Sequence, residues 1–275
     1  MKKIVFSLLS VSLIMAFVLP SCKISRTTTS TQQAETISCG ITMTLNKPGE
    51  VSFLIAGSGT MIINWGNGKD CETYTLSEYD DDFLLNHRYS HTYAYYDTIR
   101  RTIAIQGNNI THLNCIENQI SSLDVSNNSA LKGLWCFENQ ITNLDLHHNT
   151  ALQILWFVGS QLTNLDLSAN IALTSLTCNN NQLRSLNVNH NPALTDLCCY
   201  GNQIRHLDLS MNLALISLDC SYNQFSSAAL DALFETLHHH TIEGGKTISF
   251  HNNPGIDDCR YQIATEKGWT VHSTD

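Results

Sequence analysis

Five of the ten cysteines in this 275-residue chain, Cys115, Cys136, Cys178, Cys199 and Cys220, fall 21 residues or a multiple of 21 apart. Thiols in a row could bridge, bind metal or simply fill space. A metal needs ligands converging from several directions, which a one-dimensional row does not supply. Neighbours in such a row come within bridging range, but side chains stacked in parallel do not offer the perpendicular torsion of a disulfide. The expectation is therefore buried thiols acting as small apolar side chains. A second row, Asp124, Asp145, Asp166 and Asp208, is interrupted by Asn187. Carboxylates so spaced could hold calcium, or each could accept a hydrogen bond from a turn amide. Of the twelve histidines, His147, His148 and His190 stand at turns and His238, His239 and His240 in a polar stretch. None has a Ser, Cys or carboxylate partner spaced to build a catalytic triad or a metal site. The chain is read as non-catalytic, with no cofactor and no metal.

The spacing of these rows comes from an internal repeat. Ile110, Leu131, Leu152, Leu173, Leu194 and Leu215 recur every 21 residues, and five full copies fill 110–214. Their shared pattern, L-x-x-L-x-C-x-x-N-Q-[LI]-x-x-L-D-[LV]-S-x-N-x-A, resembles the leucine-rich-repeat signature. The resemblance implies a mostly β solenoid with a parallel β-sheet over 109–225, and turn-amide capping as the role of the Asp row. In the first half of each unit the apolar positions alternate with variable ones, the period of a short strand with one buried face. Asn118, Asn139, Asn181, Asn202 and Asn223 then follow the strand, where an amide can satisfy backbone groups stranded by the bend. One copy has Phe157 for Cys and Ser160 for Asn, which predicts a local distortion. The second half carries another apolar pair, another Asn (Asn128, Asn149, Asn170, Asn191, Asn212) and a small Ala. It leaves no room for a helix, so strand or extended turns are expected there.

Leucine and cysteine fix which way each strand faces, so its third, fifth and seventh positions point out of the stack. Stacking neighbouring units places Trp135, Trp156, Phe137, Ile154, Val158 and Ile116 side by side. Aromatic side chains contribute about 150–250 Å² each, so this cluster would rank with the largest apolar patch on a typical soluble monomer. Two alternatives are an N-terminal segment folded back over it, or the opposite strand phase. Tyr200, at the seventh position further along, joins the candidate binding residues.

A solenoid needs covers at its ends. Residues 39–108 have a different texture, with alternating runs at Ile41–Leu45, Val51–Ala56, Met61–Trp65 and Thr98–Ile105 that read as strands. Asn64-Trp65-Gly66-Asn67-Gly68 and His91-Thr92-Tyr93 resemble marks of polycystic-kidney-disease-type β-sandwich domains, which implies a small β-sandwich-like cap. Trp65 is read as a core anchor. Cys39 and Cys71 could pair in an oxidising compartment or stay free. Residues 226–275 read as a short helical cap: Ser226-Ser227 precede and cap an amphipathic helix run at Ala228–Phe234, Ile248-Ser249-Phe250 makes a degenerate strand, and Asp257–Lys267 makes a second helix above Trp269.

The first residues suggest export. Lys2 and Lys3 precede an apolar stretch that ends at Cys22, so residues 1–21 read as a signal peptide. Leu19-Pro20-Ser21-Cys22 resembles a bacterial lipobox, which implies lipidation of Cys22 and membrane contact only through that anchor. Residues 22–38 are Ser, Thr and Gln rich and read as a tether. The whole arrangement is similar to exported leucine-rich-repeat proteins of Bacteroidetes-type bacteria, which implies an outer-membrane location. The chain carries 15 Lys+Arg against 24 Asp+Glu, and loss of the signal would leave 13 against 24. Such an acidic chain without a basic stripe is not built for nucleic acid. The expected activity is binding by a monomer: a protein ligand on the aromatic patch or, as the alternative, a glycan stacked on the same tryptophans.

Overall fold

The computed structural model describes residues 40–80, 83 and 87–272; the signal peptide, the tether, Cys22 and Cys39 lie outside them. Six short strands, β7 (Asn109–Asn114), β9 (Gly133–Trp135), β10 (Ile154–Trp156), β11 (Ser175–Thr177), β12 (Asp196–Cys198) and β13 (Ser217–Asp219), mark successive coils. They pair in parallel, so that Leu113, Leu134, Leu155, Leu176, Leu197 and Leu218 form one row. Every residue of that row is buried. Each leucine so removed from water contributes roughly 1.5–3 kcal/mol. The chain is thus a mostly β leucine-rich-repeat solenoid, with the strand phase that the Leu and Cys spacing predicts.

The turn after each strand is set by its eighth residue, which takes a left-handed φ near 52–68° at Glu117, Glu138, Gly159, Asn180, Gly201 and Tyr222. Glycine adopts this freely, whereas Glu and Tyr do so at a cost. The turn swings the ninth residue inward. Asn181 donates from Nδ2 to the carbonyls of Phe157, Cys178 and Asn179, and its Oδ1 accepts from the Leu162 amide. Asn202 and Asn223 repeat this pattern one and two coils on. Each amide ties its own coil to the preceding one.

The copy with Ser160 shows what the asparagine does. The short hydroxyl is buried and has no hydrogen-bond partner among the described residues. The adjoining amide bond, Gln161 N to Ile141 O, lengthens to 3.5 Å, against 2.8 Å for its counterparts from Gln140, Gln182 and Gln203. Phe157, fully buried, fills the space that Cys occupies elsewhere. The second asparagine row is also buried. Asn149, Asn170, Asn191 and Asn212 each donate to two carbonyls of the preceding coil. Only the first coil has a regular strand in its second half, β8 (Ile120–Asp124); the later ones are extended and turn segments.

Strands β1 (Ile41–Leu45), β2 (Gly49–Ser58), β3 (Thr60–Asn64), β4 (Glu72–Thr75), β5 (Arg88–Tyr93) and β6 (Arg101–Gln106) precede the repeats. Two sheets result. One has the order β4-β3-β6-β1-β8, and β1 lies antiparallel to the second half of the first coil. The other runs from β5 through β2 to β7 and on along the solenoid, with β2 antiparallel to both neighbours. The N-terminal strands therefore extend both faces of the first coil rather than stacking over it as a separate body. Trp65 is 2% exposed, stacked between Phe53 and His91, with its Nε1 donating to Glu72.

At the far end, α1 (Ser227–Thr236) starts where the Ser226 side chain accepts from the Ala229 amide. Strand β14 (Lys246–Ser249) adds to β13, and Asn253 plays the part of a ladder asparagine, bonding Cys220, Phe250 and Phe225. The second helix, α2 (Gln262–Glu266), is shorter than the sequence predicts. Residues 254–258 turn instead, because Gly255 lies against the backbone of Ser226 and Ser227, and Asp231 pins the amide and Nε of Arg260. A last strand, β15 (Trp269–His272), follows in parallel with β14. Its Trp269 is buried, and its Nε1 donates to the His238 carbonyl.

Candidate functional site

The outward face of the solenoid sheet carries the aromatic cluster. Trp135 and Trp156 are paired across β9 and β10, ring centres 6.4 Å apart and planes at 77°. Phe137 stacks on Trp156 at 5.9 Å and 10°. Ile116, Phe137, Ile154 and Trp156 pack around Trp135 while remaining half-buried, and Val158 is likewise half-buried. The indoles are thus outside the leucine stack. Trp156 Nε1 donates to Ser175 Oγ in the next coil, fixing the indole's tilt.

Trp135 is not open: of the six residues that strand phase places side by side in one patch, the structure buries this one and leaves the other five half-buried. Trp135 is 9% exposed because Tyr79 and Phe83, which lie in the sequence segment between β4 and β5, pack over it. Tyr79 stacks on Trp135 and on His112, Phe83 packs against Trp135 at 5.8 Å, and Leu54 and Ala56 complete the cluster. The segment is held at both ends: Gly57 N donates to Ser77 O and Ile55 N to His87 O. The folded-back N-terminal segment is therefore real, but it covers only one of the two tryptophans. Burial, helped by nearby Lys132 and His87, pushes the His112 imidazole down to about 4.

The sequence reading missed Tyr79, Phe83, His112 and Gly133. Gly133 carried a signal. A Cβ there would lie 2.5 Å from the His112 ring and 2.6 Å from the Trp135 ring, so the third position of this coil must be glycine for the indole to lie across it. Tyr200 does not join the cluster. It pairs with Tyr222 at 5.0 Å, and Tyr222 with His251, forming a second aromatic group further along the sheet.

The other candidate groups settle into structural roles. The five ladder thiols are fully buried. Burial pushes Cys136, Cys178, Cys199 and Cys220 well up, and Cys198, on the outer face, to about 11. Asp124, Asp145, Asp166 and Asp208 each accept from the amide two residues on, at 2.9–3.0 Å, as does Asn187. Those bonds hold Asp145, Asp166 and Asp208 below the usual carboxylate range. His147 bridges Asp145 at 2.8 Å and Asp166 at 3.4 Å, and both raise its pKa.

A cysteine row, two asparagine rows and a parallel sheet of coils together define a leucine-rich-repeat solenoid. Among solved structures, the functional domain of InlJ from Listeria monocytogenes, described as including a cysteine ladder, is similar at 24% identity and a TM-score of 0.39, over 59% of this chain and 48% of its own. An internalin (inlF) from Listeria monocytogenes is similar at 22% identity and TM-score 0.47, over 55% and 43%. A leucine-rich-repeat protein of Leptospira interrogans is similar at 17% and 0.46, over 54% and 38%. This chain spans less than half the length of each of these. No family model and no curated protein matches it.

Proposed function

We propose that this is a non-catalytic binding protein that takes a protein ligand on the open half of the aromatic face. The supporting observation is the row Ile116, Phe137, Ile154, Trp156 and Val158, half-buried on the parallel sheet beside an already covered Trp135. Aromatic anchors set in a rigid surface, with polar groups around them, are the usual carriers of protein-binding energy. Thr177, Asn179 and Ser175 supply that polar margin on the next coil. The glycan alternative is less well supported. Sugar rings stack on flat, side-by-side indoles, whereas these two stand at 77° and one is 9% exposed. A non-catalytic reading is supported by the burial of the ladder thiols and by the turn amides that engage the acid row.

Export and lipidation at Cys22 are proposed on residues 1–38, and an outer-membrane location on the resemblance of the whole arrangement to exported leucine-rich-repeat proteins. The test is capture of partners on the purified wild-type chain and on a Trp156→Ala/Phe137→Ala variant. A protein retained by the first and lost by the second, with the melting temperature nearly unchanged, is the expected result. Equal retention by both would remove the site from this face.

A further inference from the structure

A different surface of the solenoid carries two adjacent, unpaired cations. Arg184 and Arg205 occupy the same position, the twelfth, of neighbouring coils; the earlier coils have Ser121, Thr142 and Thr163 there. With Gln203 and Gln224 they line an open groove of about 620 Å³. All four side chains are exposed. Neither guanidinium has an ion pair or a hydrogen bond among the described residues, and neither carboxamide is engaged. The chain has 24 acidic residues and only 15 basic ones. Even so, no carboxylate lines this groove. Arg101 and Arg260, by contrast, hold Asp97 at 2.6 Å and Asp231 at 2.8 Å.

Like charges on coils roughly 4.8 Å apart repel each other. No contact among the described residues offsets that repulsion, and Ser or Thr serves the same position in the other coils, so the repeat does not need an arginine there. The groove offers two guanidinium forks and, from the glutamine that every coil carries at its tenth position, two carboxamide NH2 groups. One carboxylate, with two oxygens and one charge, would leave half of them idle. A tetrahedral dianion has the charge and the acceptor oxygens to engage both forks. We propose that Arg184 and Arg205, with Gln203 and Gln224, form a binding site for a phosphate monoester group. The group could be free in solution or displayed on a lipid headgroup, and the site is independent of the aromatic face.

Calorimetric titration of the full chain with inorganic phosphate and with glucose 6-phosphate tests this at fixed ionic strength. Flotation with vesicles containing phosphatidic acid tests the lipid source. The wild type should bind a phosphate probe in at least one arm, and that arm identifies the source. Arg184→Thr/Arg205→Thr, which restores residues the other coils use, should weaken binding at least tenfold. Arg184→Lys/Arg205→Lys should weaken it several-fold, because ammonium groups lack the fork. No binding in any arm, or unchanged binding in the Thr variant, would overturn the proposal. Equal binding by the Lys variant would reduce it to diffuse charge attraction and overturn the built site.

Discussion

Trp135 and Trp156 occupy the same position in adjacent coils, paired through the same strand register, yet one is structural and the other stands half-open. Trp135 lies across Gly133 and beneath Tyr79 and Phe83. Trp156 has Ile154 at the equivalent third position and a serine hydroxyl in the next coil, and it remains half-buried. The repeat decides which way a side chain points. What then happens to it is decided by elements outside the repeat, here the link between β4 and β5. A periodic scaffold can thus make one copy of a residue part of the core and offer the next to a ligand.

The comparison breaks most sharply on stability. Trp135→Ala empties a nearly closed cluster and should cost about 3–5 kcal/mol in a denaturant titration, the usual range for a buried tryptophan. Trp156→Ala should cost clearly less, because water already reaches its indole. Similar losses would mean that the two sites are not different in kind.

Acid sharpens it next. His112 titrates near 4 in the fold, below its ordinary value of 6.5, so the unfolded chain binds this proton first as pH falls. The contribution is fully present above about 6.5 and is lost as pH drops toward 4, to the extent of roughly 2–3 kcal/mol. Unfolding measured from pH 7 to 4 should show that slope, and His112→Gln should reduce it, leaving the share of His91 and His238, which burial also holds below their ordinary value. A slope unchanged in His112→Gln would place the acid-sensitive contact elsewhere.

The ladder offers a smaller contrast. Asn181→Ala strands buried backbone groups and should cost about 1–3 kcal/mol. Ser160→Asn should act in the opposite direction, by roughly 0.5–1.5 kcal/mol, by giving the Ile141 region the acceptor that other coils have. A destabilised Ser160→Asn would mean that Phe157 leaves no room for the amide.

The solenoid was legible because its constraints are local and repeated. A leucine every 21 residues, a cysteine two positions after the strand's central leucine and an asparagine three positions further fix strand, core and turn together. The odd copy was legible for the same reason: Ser160 breaks a rule the others establish. The state of the patch was only half legible. Strand phase placed both tryptophans on the outer face, but Tyr79 and Phe83 lie more than 50 residues before Trp135 in sequence, in a stretch with no periodicity to predict where it crosses. Strand β15 escaped for a similar reason, since Trp269–His272 is too short to announce itself without β14 beside it. Repeat position alone groups Tyr200 with the tryptophans, and distance along the sheet assigns it to Tyr222 instead.

The central claim is that the open half of the aromatic face receives a protein. Its most direct test places a photoreactive benzoylphenylalanine at Phe137 in the cells that make the protein, with Ile171, which is 63% exposed, as the control position. The expected result is a discrete crosslinked protein at position 137 that is absent at 171 and disappears when Trp156→Ala is added. Crosslinking that is the same at both positions, or indifferent to Trp156, would contradict it.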